Sequence, residues 1–136
     1  MSYRLIAVDL DDSLLGSDRK ISEANKRALF EARDKGVYVT IATGRMLDSA
    51  MPYIKELSID IPVITYQGAY IIDTQTEEVL VRKLMQKEYA LKILEEAKKQ
   101  NLHIQMFSDS SYFFEKDSEF NRYYHKMSGV EGEQVG

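Results

Sequence analysis

Three carboxylates occupy four positions in Asp9-Leu10-Asp11-Asp12, directly after the apolar run Leu5-Ile6-Ala7-Val8. Aspartates are poor strand formers, and crowded carboxylates repel one another. A cation would relieve the repulsion. A phosphate chemistry that gives two carboxylates different tasks would also justify the crowding. A second group, Thr43-Gly44-Arg45, closes the β-rich run of residues 37–42. It presents a hydroxyl and a glycine, whose backbone can come close to a ligand.

Positioning these groups requires particular elements. Residues 4–8 form a short continuous apolar run, consistent with a strand covered on both faces. Ser22 is a natural N-cap for a helix that carries Ala24, Ala28, Leu29 and Ala32 as a stripe and ends at Gly36. After the second strand, Leu47, Ala50, Met51, Ile54 and Leu57 make another helical stripe. Pro52 places the regular start of that helix near Ser49, because proline fits the first turn. Residues 62–66 and 69–73 read as a third and a fourth strand. Strand, helix, strand, helix, strand is the signature of a parallel sheet with right-handed crossovers. In such a sheet ligands gather outside the carboxyl ends of the strands, where the acidic loop and the Thr-Gly-Arg turn both lie.

Beyond Asp73 the pattern changes. Residues 78–85 alternate as a strand, and residues 87–101 form an amphipathic helix. Residues 103–107 and 111–115 flank Ser108-Asp109-Ser110 as an antiparallel hairpin, and residues 117–127 read as helical. The Gly-rich, acidic end offers no closing element. Tyr112, Phe113, Phe114, Phe120, Tyr123 and Tyr124 are expected to pack this module, and His103 to sit packed or at its rim.

Composition narrows the function classes. The chain has 136 residues, 44% of them hydrophobic, and a net charge of −4. That acidity gives no electrostatic reason to expect a nucleic-acid partner. Without cysteine there are no disulfides, thiolate nucleophiles or Cys-ligated zinc. The two histidines have no metal-ligand spacing. No run approaches the roughly 20 apolar residues of a membrane span, and the first residues do not form a signal peptide. A cytoplasmic protein with no membrane partner is expected.

The stretch Val8-Asp9-Leu10-Asp11-Asp12-Ser13 resembles the first motif of the haloacid dehalogenase-like phosphatases, an Asp-x-Asp-x-Thr/Ser pattern after the first strand. Ile41-Ala42-Thr43-Gly44-Arg45 resembles their second motif, and the layout after residues 66–73 is similar to the Cof-type sugar-phosphatase branch. The resemblance implies an α/β fold: a Rossmann-like parallel sheet, here an incomplete haloacid dehalogenase-like core over residues 1–77, followed over 78–136 by the start of an inserted α+β cap module. It implies Asp9 as the nucleophile, forming an aspartyl-phosphate, and Asp11 as the acid and base. Mg²⁺ would be held by the Asp9 carboxylate and the Asp11 backbone carbonyl. Asp12, Ser13, Thr43, Gly44 and Arg45 would form the phosphate cradle. Each has a plainer alternative. Asp12, often Gly in the family, could serve a turn, and Ser13 could only order the loop. Thr43 could cap a helix, and Arg45 could only neutralise the acids. Gln67 stands where the family often has an Asn-Gly step; it could face the site, and a structural turn is the plainer reading.

Two further family motifs, a lysine and a Gly-Asp-x-x-Asn-Asp run, are not recognisable here. The expectation is therefore the amino-terminal portion of a longer enzyme, weakly active or inactive alone, with a missing carboxy-terminal half or a separate chain completing the core. The expected reaction is hydrolysis of a small phosphorylated metabolite, a sugar or cofactor phosphate. A phosphosugar mutase of the same superfamily, a non-catalytic fragment and a phospho-receiver-like signalling domain are alternatives. The receiver requires an Asp at the end of the third strand, where this chain has Thr65-Tyr66-Gln67-Gly68.

Overall fold

In the computed structural model, which describes residues 3–108 and 111–135, the first apolar run is β1 (Leu5–Val8). It pairs in parallel with β2 (Tyr38–Ile41), Leu5 opposite Tyr38 and Val8 opposite Ile41. Parallel pairing in this register releases the acidic loop and the Thr43 turn from the same edge of the sheet. The connection between them is α1 (Glu23–Asp34). Ser22 caps it as expected, its hydroxyl accepting the Asn25 N–H at 3.1 Å. Gly36, at φ 79°, takes the left-handed conformation that lets the chain leave the helix.

The second helix, α2 (Leu47–Glu56), starts two residues before the expected position and holds Pro52 in its interior. Proline cannot donate to the Asp48 carbonyl, so one helical bond is lost. Burial of Ser49, Ala50 and Ile54 on the inner face keeps the helix intact. A third strand, β3 (Val63–Thr65), joins β2 through a parallel bridge between Ala42 and Ile64. The next strands, β4 (Tyr70–Ile72) and β5 (Val79–Arg82), run antiparallel, β4 against β3 and β5 against β4. Only Tyr66–Gly68 separates β3 from β4, too short a link for a parallel crossover. The core beneath these strands contains Leu10, Ile41, Ala50 and Val63, all fully buried, with Ile54, Leu57 and Ile59 beside them. Burying each large apolar side chain stabilises by about 1.5–3 kcal/mol.

The chain divides by its contacts into two compact units, between Lys83 and Leu84. The sequence reading draws its boundary before β5; the pairing of β5 with β4 keeps that strand with the first unit. The second unit contains α3 (Lys87–Lys99), β6 (Gln105–Phe107), β7 (Tyr112–Phe114) and α4 (Glu119–Ser128). β6 and β7 form the expected hairpin, although residues 109–110 of its turn lie outside the described residues. The tail does supply a closing element. Its strand β8 (Glu133–Gln134) pairs in parallel with β7. Tyr112 is buried and its ring meets Phe107, Phe114 and Tyr124. Phe120 and Tyr123, expected to pack, are more than half exposed. His103 stacks on Phe120, with Nδ1 3.3 Å from the Ser118 hydroxyl. Among the described residues no helix is long and apolar enough to cross a membrane.

Candidate active site

Asp9 leaves β1 with extended backbone (φ −75°, ψ 150°), and a wide turn then wraps over the strand end. The turn is closed by bonds from the Leu14 N–H to the Asp9 carbonyl (3.2 Å) and from the Leu15 N–H to the Leu10 carbonyl (2.9 Å). Leu10 and Leu14 anchor it in the core, which leaves the Asp9, Asp12 and Ser13 side chains outside. The Ser13 hydroxyl donates to Asp9 Oδ2 at 3.2 Å, so it orders the loop around that carboxylate. Asp12 sits at φ 57°, ψ 12°, in the left-handed region. Aspartate visits that region more readily than most residues, and glycine does so freely.

The second strand end is fixed from both sides. The Ala42 N–H donates to the Val8 carbonyl and the Thr43 N–H to the Ile64 carbonyl, each at 2.9 Å. Thr43 is buried, and its hydroxyl accepts the Arg45 backbone N–H at 3.2 Å. That bond spans two residues and turns the chain toward α2. Gly44 is exposed at the tip. A β-carbon there would collide with the side-chain amide of Gln67, so a side chain at this position would displace that amide.

The two loops meet through one ion pair. Arg45 Nε donates to Asp11 Oδ2 and Nη2 to Asp11 Oδ1, both at 2.7 Å. This two-pronged geometry is the strong form of the interaction. Arg45 is only 9% exposed along its side chain, against 43% for Asp11. Its Nη1 donates to the Ser49 hydroxyl at 3.2 Å, and the Tyr53 ring lies 5.2 Å from the guanidinium carbon. Tyr53 in turn donates its hydroxyl to the Arg19 carbonyl at 3.1 Å. Hydrogen bonding from Arg45 is the main cause that holds the Asp11 carboxyl below its ordinary 3.8, with burial opposing it. The same pairing raises Arg45 further above its ordinary range.

The structure thus brings Asp11 and Arg45 into contact and sets the Asp9 loop and the Thr43–Gly44 turn at adjacent strand ends. Arg45 is engaged by Asp11 and Ser49, the arrangement that neutralises an acid. Sequence reasoning missed Ser49 and Tyr53. Their spacing four and eight residues after Arg45, on one face of α2, was the available signal.

The haloacid dehalogenase-like hydrolase family matches this sequence over residues 6–134. The chain belongs to that family. Among the relatives of this haloacid dehalogenase-like chain, a pyridoxal phosphate phosphatase of Escherichia coli K12 is 31% identical. The match covers 85% of this chain and 42% of that protein. A 5-amino-6-(5-phospho-D-ribitylamino)uracil phosphatase of Bacillus subtilis is 33% identical, over 85% of this chain and 40% of its own length. In fold, the chain is similar to a crystallised haloacid dehalogenase-like hydrolase from Bacteroides thetaiotaomicron, with TM-score 0.87 and 22% identity. That similarity covers 99% of this chain and 52% of the other. The chain therefore spans about two fifths of the length of these two curated relatives.

The donors at the loop suit Mg²⁺ in kind, because hard oxygen ligands are what that ion prefers. They are few in number. Arg45 engages the Asp11 carboxylate, and among the described residues no group of three or more Asp, Glu, His or Cys side chains could hold a metal.

Proposed function

We propose that this chain carries the nucleophile and acid–base half of a Mg²⁺-dependent phosphomonoester hydrolase. The observation that supports it is the meeting of the two strand-end loops through the Asp11–Arg45 pair, with Asp9 exposed beside them. The Asp9 carboxylate attacks phosphorus, and the bond to the ester oxygen breaks. Asp11 gives its proton to the departing alcohol. Water then attacks the aspartyl-phosphate, Asp11 accepts the water's proton, and phosphate leaves. The Asp9 carboxylate and the Asp11 backbone carbonyl would hold Mg²⁺, whose charge offsets that of the carboxylates and the phosphoryl group.

Arg45 imposes a condition on this scheme. It favours ionised Asp11, which suits the second step. For the first step Asp11 must carry a proton, so its contact with Arg45 has to loosen when the ester binds. Thr43 and Gly44 form the phosphate cradle, and Asp12 and Ser13 shape the loop opposite. Small sugar or cofactor phosphates are the proposed substrates, in a cytoplasmic setting. The named activities of the two curated relatives support that class. They also favour hydrolysis over transfer to a second sugar. Because among the described residues no group of three or more Asp, Glu, His or Cys side chains could hold a metal, the 136-residue chain alone is expected to turn over slowly.

The test uses the 136-residue chain with Mg²⁺ and beryllium fluoride, followed by fluorine NMR. A bound fluoride signal that disappears in Asp9→Asn is the expected result. A signal of equal intensity in that variant removes Asp9 from the nucleophile role.

A further inference from the structure

Tyr66, Gln67 and Gly68 adopt positive φ in succession, at 50°, 55° and 84°. Glycine accepts that region, but two adjacent large side chains there are strained, and such strain concentrates at ligand sites. The turn is held against the Thr43–Arg45 segment by two backbone bonds. The Tyr66 N–H donates to the Arg45 carbonyl at 3.0 Å and the Gln67 N–H to the Thr43 carbonyl at 3.2 Å. These bonds fix the backbone from which the Gln67 side chain departs. The Gln67 amide lies over Gly44, in the space a β-carbon would take. Among the described residues neither that amide nor the Gly44 N–H has a hydrogen-bond partner. Both are exposed at the same strand end as Asp9.

A turn that needed only to reverse the chain could be built without this strain and without this crowding. A short polar residue in place of Gln67 would satisfy a plain hairpin and leave room for a side chain at position 44. Instead, two N–H donor groups face solvent at one place, with no protein acceptor among the described residues. We infer that Gln67 is a phosphate-binding residue of this site, its amide N–H donating to a phosphoryl oxygen held at the Thr43–Gly44 turn. The inference rests on the phosphate reading of the site and adds to it a residue from a third strand end.

The experiment titrates the 136-residue chain with inorganic phosphate in the presence of Mg²⁺ and follows nitrogen–proton NMR spectra. In the unmodified chain, the Gly44 backbone signal and the Gln67 side-chain NH₂ pair should shift together along one binding curve. Gln67→Ala should weaken phosphate about three- to tenfold, within the range for the net loss of one ordinary hydrogen bond. Gln67→Glu keeps the length of the side chain but sets a carboxylate against the anion, and should weaken it by more than tenfold. Thermal melting reports whether either variant is folded, and the NH₂ signal of the unmodified chain decides the matter if neither is. Phosphate binding that shifts Gly44, leaves the Gln67 NH₂ pair still and is unchanged within twofold in both variants overturns the role of Gln67 while the phosphatase reading stands. No shift at Gly44 or Gln67 at any phosphate concentration overturns both.

Discussion

Both units of the molecule bury polar side chains, but the two networks end in different places. In the first unit Thr40 donates to the Pro62 carbonyl at 2.6 Å and Thr65 to the Tyr70 carbonyl at 3.2 Å. Thr43 and Ser49 accept from Arg45, and Arg45 reaches out to the partly exposed Asp11. The chain of contacts thus runs from the core to an acid at the surface. In the second unit the buried Asn121 donates to the Lys116 carbonyl at 2.8 Å and accepts from Gln105 at 3.0 Å. Those bonds tie α4 to β6 and return to backbone. The same device positions chemistry in one unit and only shape in the other. Apolar burial differs as well. Eleven residues form the buried cluster of the first unit, whereas Ala97 and Tyr112 are the buried apolar residues of the second among those described. The second unit therefore depends on few side chains.

The largest expected effect follows from that dependence. Tyr112→Ala removes the ring around which Phe107, Phe114 and Tyr124 pack. It also empties the space against which Gly132 lies. The cost should be about 3–5 kcal/mol, the range for deleting a large buried aromatic side chain. Hydrogen exchange should show lost protection in α3, β7 and α4, with β1, β2 and α1 unchanged. Equal loss in both units would show that their contacts do not divide the chain energetically.

A smaller effect, confined to the first unit, is expected from Arg45→Ala. It leaves Asp11 without its partner and Ser49 without its donor. Asp11 is partly solvated, so the loss should be about 1–2 kcal/mol, below that for a fully buried pair. Acidity sharpens the prediction. Pairing with Arg45 lowers the Asp11 value below 3.8. The stabilisation is present above that value and fades as pH falls through the lowered one. Melting temperatures of the unmodified chain and Asp11→Asn should therefore differ most near neutrality and converge below about pH 3.8. A difference that stays constant across that range would mean that the ion pair contributes nothing through ionisation.

Much of this was legible in the sequence, for identifiable reasons. The apolar runs before Asp9 and Thr43 announced two strand ends, and Ser22 announced the start of α1, because these signals act locally. The start of α2 was misplaced because burial of Ser49, Ala50 and Ile54 outweighs the lost proline bond. Exposure of Phe120 and Tyr123 was invisible to an argument from aromatic content, since one face of α4 carries them and another carries the buried Asn121. β8 was missed because two residues pairing with β7 carry no pattern of their own. The Asp11–Arg45 contact links positions 34 residues apart, and only the parallel register of β1 and β2 brings them together. Gln67 over Gly44 is likewise a product of tertiary approach, since no local signal distinguishes a crowded glycine from a turn glycine.

The smallest effects test the comparison at matched positions. Ser22 and Ser118 are both helix N-caps, each accepting the N–H three residues on, at 3.1 and 3.3 Å. Replacing either with alanine should cost about 1 kcal/mol. Their surroundings differ. Asn25, the residue bonded to Ser22, also donates its side chain to the Leu14 carbonyl at 3.3 Å, so α1 is tied to the turn that carries Asp9. Ser118 is tied instead to His103 and to the closed network of Asn121. Ser22→Ala should therefore raise hydrogen exchange at the Leu14 and Leu15 amides as well as in the first turn of α1. Ser118→Ala should raise it only within the second unit. If Ser118→Ala disturbs the Leu14 amide as strongly as Ser22→Ala does, the distinction between a network that serves the site and one that serves only the fold is wrong.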